Sequence, residues 1–144
     1  MEHSFDLARL AAARATKTQA VILMPIVGAF VVESLALNAT IDVPLTLRRI
    51  HRFPAWSATG DQPAQWTLID FIGPDDAGDE LARQLAAALS PGRWYADYAT
   101  GSTSWVVFAG RVFTYPRGDD TGRQEAITYA RDVGVPEAQL DWPR

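Results

Sequence analysis

Side chains of the kinds that do chemistry gather in two places in this chain. The first is Arg48-Arg49-Ile50-His51-Arg52, with Phe53 and Trp56 close behind. Guanidinium groups grip phosphate or carboxylate through paired hydrogen bonds, and aromatic rings stack on bases. Arg48, Arg49, His51, Arg52 and Trp56 are therefore candidate binding residues. The same charges also have a plainer use, since on an exposed strand edge they discourage edge-to-edge aggregation. The plainer reading is preferred, because the chain carries a net charge of −4. That sign argues against a general nucleic-acid binder, which normally carries a basic field. The second group is made of carboxylates: Asp70 near the end of an apolar run, then Asp75, Asp76, Asp79 and Glu80, and later Asp97. Asp70 and Asp97 are the weak candidates for an acid–base or metal site, since a hard cation needs oxygens converging from separate elements. No calcium-loop spacing is present, and helix capping accounts for residues 75–80. No metal ligand set and no cofactor is expected.

Other catalytic patterns are absent. There is no Gly-x-Ser-x-Gly elbow, no phosphate-cradling glycine loop and no His-Glu-x-x-His. The chain has no cysteine, which excludes disulfides, thiolate metal sites and cysteine nucleophiles. Gly101-Ser102-Thr103-Ser104 is polar but has no base near it in sequence. Arg117-Gly118-Asp119 spells an adhesion tripeptide, yet it reads as a turn feeding a helix cap. Tyr95 and Tyr98 join the candidate binding residues because rings with a polar tip favour interfaces. At strand spacing they serve equally as core.

The elements that must position these groups are legible in part. Residues 94–99, 104–108 and 111–115 read as three antiparallel strands, the last two joined at Ala109-Gly110, where glycine supplies positive φ. Residues 66–72 are apolar on both faces and belong in the middle of a sheet. Residues 43–53 alternate as a half-buried strand, and Pro44 suggests an edge. A helix follows Gly73-Pro74, capped by Asp75 or Asp76, with Leu81, Leu85, Ala88 and Leu89 as its apolar stripe and Pro91-Gly92 as its stop. A last helix begins near Asp120, with Thr121 and Gln124 as a capping box and Ala126, Tyr129, Ala130 and Val133 facing inward. Leu140 and Trp142 are expected to fold back onto the body. The order β-β-α-β-β-β-α predicts an α+β fold, a two-layer sandwich with both helices on one face of a mainly antiparallel sheet.

The N-terminal forty residues stand apart. Residues 4–17 read as a helix. Residues 20–37 are strongly apolar, but the uninterrupted part is about 13 residues, short of the roughly 20 that a membrane helix needs. They are expected to be buried core or a partner-binding element. The alternative is export or a membrane anchor, since Arg9, Arg14 and Lys17 precede the run. The chain divides on this reading into residues 1–40 and an α+β domain over 41–144, a size that buries a real core.

Three segments, WTLIDF (66–71), VFAGRVFTYPRGD (107–119) and GVPEAQLDWP (134–143), resemble small actinobacterial α+β proteins over about half the chain. That group has no assigned activity, so the resemblance implies no catalytic residue. Taken together, the residues point to a non-enzymatic protein-binding or regulatory module, of inhibitor or immunity type. It would act through its sheet and N-terminal apolar segment on a partner protein or a second copy of itself, in a cytoplasm that suits a chain without cysteine. The alternatives are a small enzyme with a carboxylate–arginine site and a membrane-tethered domain.

Overall fold

Segments rich in β-branched and aromatic residues build six strands among the described residues, all in one sheet. The structure is a computed structural model and describes residues 24–142, so the helix expected over residues 4–17 lies outside the described residues. In chain order the elements are β1 (Ile26–Val31), β2 (Thr46–Pro54), β3 (Gln65–Gly73), α1 (Gly78–Ala88), β4 (Tyr95–Ala99), β5 (Thr103–Phe108), β6 (Arg111–Pro116) and α2 (Asp120–Asp132). The spatial order is β2-β3-β1-β4-β5-β6, and every neighbouring pair is antiparallel. The fold is α+β with a mainly antiparallel core, as expected.

β1 is the strand that periodicity did not reveal. It falls inside the apolar run over residues 20–37 and inside the segment 1–40 set apart above. It lies in the middle of the sheet, paired with β3 on one side and β4 on the other. β1 carries apolar or small residues at every position, although Val27 on one of its faces is exposed, so no alternation marks it as a strand. Glu33 ends it. Its carboxylate accepts from the Thr67 backbone N–H at 2.6 Å and from the Thr67 hydroxyl at 2.9 Å, in place of a next carbonyl in the ladder. Burial works against the charged form of Glu33, but the Thr67 hydrogen bonds and the Arg52 charge hold its carboxyl below the ordinary value.

The two helices do not share a face. Trp105 and Val107 of β5 pack with Leu81, Ala82 and Leu85 of α1. Val106 and Phe108, pointing the other way, pack with Ala126, Ile127 and Ala130 of α2. Four consecutive residues of β5 are buried, so both faces of the sheet are apolar there and each needs its own cover. The expected two-layer sandwich with both helices on one face is corrected accordingly.

The caps also differ. Ala77, with no side-chain bond, precedes α1, and neither Asp75 nor Asp76 caps it. Asp119 caps α2, accepting from the Thr121 N–H at 3.0 Å, in place of the Thr121–Gln124 box. Arg117-Gly118-Asp119 is thus the turn that feeds a helix cap. Gly110 turns the β5–β6 hairpin at φ 70°, a left-handed conformation that costs glycine nothing. The tail after α2 folds back as expected, with Leu140 and Trp142 buried. Arg123 clamps it by donating to the carbonyls of Leu140 and Trp142.

Candidate functional site

One row of residues crosses the sheet on the side that α2 covers. Arg49 lies opposite Asp70, Asp70 opposite Ala29, Ala29 opposite Asp97, and Asp97 opposite Val106. Directly opposed residues in antiparallel strands point to the same face. Both carboxylates singled out in the sequence therefore stand on one face, with their Cα atoms about 10 Å apart across the small side chain of Ala29. α2 and the tail occupy the β4–β6 half of this face. Among the described residues nothing covers the β1–β3 half, where Val27 is 45% exposed and Arg49 and His51 are exposed.

The two carboxylates differ in what surrounds them. Asp70 accepts from Arg49 Nε at 2.6 Å near solvent. Asp97 sits where two clefts meet. A cleft of about 420 Å³ is lined by Val27, Thr100, Ser104, Tyr115, Arg117 and Trp142 among others, and a cleft of about 170 Å³ by Ala29, Phe53, Trp66, Arg93, Trp94 and Gln139 among others. Asp97 is common to both linings. Burial raises its carboxyl to about 6, and the charge of Asp141 pushes the same way. Trp142 lines the larger cleft and Trp66 the smaller; the Trp66 indole N–H is buried without a hydrogen-bond partner, and that of Trp142 is buried close to the Tyr95 hydroxyl. Tyr95 forms the wall between β4 and the tail. Its hydroxyl donates to the Gln139 carbonyl at 2.9 Å, and its ring meets Trp142 edge-on at 5.3 Å. Burial pushes the Tyr95 phenol up to about 12, partly opposed by the nearby Trp142 N–H and assisted by the charges of Asp97 and Asp141.

The other sequence candidates scatter. β2 alternates like any strand, so its basic cluster divides. Arg49 and His51 point to the α2 side, where His51 stacks on Phe53 at 5.2 Å. Arg52 points to the α1 side and donates to Thr67 Oγ1 at 3.1 Å. Arg48 falls at a bulge between Leu47 and Arg49, where the register shifts. Trp56 lies in the loop after β2, 89% exposed. Tyr98 belongs to the opposite core. It stacks on Trp105 and donates to the Gly78 carbonyl at 2.6 Å, and burial above all raises its phenol. No single surface takes all of Arg48, Arg49, His51, Arg52, Trp56, Tyr95 and Tyr98.

Sequence reasoning missed Trp66 and Trp94 and the role of Ala29. Trp142 is legible as a returning tail residue and as an aromatic suited to an interface, not as the wall of a cleft. Recognising residues 26–31 as a strand would have supplied the missing signal, because the row Asp70–Ala29–Asp97 exists only when β1 separates β3 from β4. Among the described residues no group of three His, Cys, Asp or Glu side chains is placed to hold a metal ion. Among the same residues no helix is long and apolar enough to cross a membrane. No family model, curated protein or solved structure matches the chain.

Proposed function

We propose that this protein is a binding module of regulatory type, in the manner of an inhibitor or immunity protein, which seats a protein partner on the open β1–β3 half of the α2-side face. The observation that carries this reading is a sheet that the described residues cover on only half of this face. Its uncovered part is a mixed surface, with the apolar Val27 beside the Arg49–Asp70 pair and the His51–Phe53 stack, bordered by the Asp97 clefts. Aromatic and arginine side chains in an apolar setting are the usual composition of a recognition surface. Site-specific photocrosslinking tests it. A benzophenone amino acid at Val27 or His51 should give a discrete adduct, and the same probe at Arg83, exposed on α1, should give none. Adducts from Arg83 as readily as from Val27, or none from either face, would count against the proposal. Light scattering over a range of concentrations tells a second copy from a different partner.

A second reading, a carboxylate enzyme, draws on one observation: Asp97, whose carboxyl burial raises to about 6, shares a face with Asp70. A pair of carboxyl groups is the acid and base of glycoside hydrolysis, which names the reaction to assay. The direct assay is hydrolysis of a panel of chromogenic aryl glycosides, with loss of turnover in both Asp70→Asn and Asp97→Asn. A panel left intact by the wild-type chain would remove this reading.

A further inference from the structure

Asp97 is a carboxylate awaiting a counter-charge. None of the ion pairs among the described residues ends on it, and no hydrogen bond reaches it. The charge that acts on it is that of Asp141, of the same sign. Arg117 and Arg93 line the two clefts, yet neither pairs with Asp97, and Arg117 donates to the Thr100 carbonyl. An ionised carboxylate withdrawn from water and left without donors is costly, and an entering group that supplies both charge and donors relieves that cost.

The surroundings narrow the chemistry of that group. An anion is repelled by Asp97, by Asp141 and by the net charge of −4. A bare divalent ion needs several oxygen or nitrogen ligands, and no group of three is assembled among the described residues. An ammonium needs one carboxylate, and aromatic walls favour it further through cation–π attraction. Trp142 and Tyr115 line the larger cleft and Trp66, Trp94 and Tyr95 the smaller. Trp66, which lines the smaller cleft beside Asp97, is 7% exposed and its N–H is buried with no partner. Such a donor suits a ligand that carries an acceptor some atoms away from its cation.

We propose that Asp97 anchors the ammonium group of an alkylamine ligand, whose chain lies in the clefts between the indoles of Trp142 and Trp66. This rests on the reading of the face as a binding surface and adds the chemistry that the surface selects. The amine has two natural sources, a free small molecule or the lysine side chain of a partner.

The test follows the indole N–H signals of the isotopically labelled full chain by NMR, five tryptophans in all, during titration with n-butylamine, Nα-acetyl-lysinamide and the neutral N-butylacetamide. Both amines should move the Trp66 and Trp142 signals and leave that of exposed Trp56 in place, and the neutral amide should move none. Tighter binding of the lysinamide points to a partner's lysine, and tighter binding of butylamine to a free amine. Asp97→Asn should weaken amine binding by about tenfold or more, the usual consequence of removing the charged half of a hydrogen-bonded pair. In the wild-type chain affinity should fall as pH drops through about 6, where Asp97 takes up a proton. Asp141, Tyr95, Tyr115, Arg93, Arg117 and Arg123 are the other titratable groups around the site. This pH profile stands even if the variant fails to fold. Binding of the neutral amide as strong as that of the amines, no movement of either indole, or affinity indifferent to both Asp97→Asn and pH would overturn the assignment. If adducts at Val27 persist while amines do not bind, the amine site falls and the partner surface stands. If amines bind while no adduct ever forms, the reverse holds.

Discussion

At the scale of single residues, Asp97 makes the clearest demand on the fold. Its carboxyl rises from an ordinary value of 3.8 to about 6 in the folded chain. A group with a raised folded pKa holds its proton more tightly in the folded state. Stability therefore declines as pH rises from about 4 to about 6, and above that range the full penalty persists. Two pH units correspond to at most about 3 kcal/mol, and because Asp97 borders open clefts about 1–2 kcal/mol is the expected size. Asp97→Asn should raise the melting temperature at pH 7.5 and flatten the stability profile between pH 4 and 6, as read by thermal denaturation across that range. A variant less stable than wild type at pH 7.5 would mean that the carboxylate has a favourable partner. Asp97 was legible as a candidate because it lies in a neighbouring part of the sheet, where its oxygens could converge with those of Asp70. Its unpartnered state was not legible, since that depends on Asp141 and two indoles far away in sequence.

At the scale of elements, β1 decides the sheet. Gly28 lies opposite Phe71 of β3 and Tyr98 of β4. A Cβ built at Gly28 would collide with the Tyr98 Cβ and lie 2.7 Å from the Asp97 carbonyl oxygen. The glycine is there because β4 approaches closely, and the Phe71 and Tyr98 rings, 6.1 Å apart, close over the gap. Gly28→Val should destabilise by about 3 kcal/mol or more in urea denaturation, because the obstruction is backbone and cannot rotate away. A loss under 1 kcal/mol would show that the β1–β4 pair can slide apart. α2 offers a smaller test. Asp119→Ala removes the cap on the Thr121 N–H and should cost about 1 kcal/mol, and Asp119→Asn should recover most of it. The three C-terminal strands and both helices could be read from the chain because their signals are local: alternation, a turn glycine, a stripe at helical spacing. β1 could not, because a short apolar run satisfies a buried strand and a buried helix equally. The bonds that Asp79 and Glu80 make to Trp105 and Arg83 were equally hidden, and capping had seemed a sufficient reason for those acids.

At the scale of the molecule, the tail and α2 together decide how much of one face stays open. Trp142 packs in the α2-side core, forms one wall of the larger cleft and is clamped through its carbonyl by Arg123. Trp142→Ala should cost about 3–5 kcal/mol, the range for truncating a buried aromatic, and should increase binding of a fluorescent apolar dye as the face is laid bare. Unchanged dye binding would mean that the rest of the tail covers the sheet alone. Alternation, turn chemistry and composition by themselves determined an α+β protein, its β4–β5–β6 meander, the helices α1 and α2, its returning tail and its lack of thiol chemistry. Those features are written by residues adjacent in the chain. Tertiary structure alone decided that β1 enters between β3 and β4, that the helices take opposite faces, and that Asp70, Ala29 and Asp97 fall in one row whose Asp97 end lines two clefts. Strand order and register depend on pairings between distant segments, and moving a strand by one residue or one place sends every side chain on it to a different neighbour.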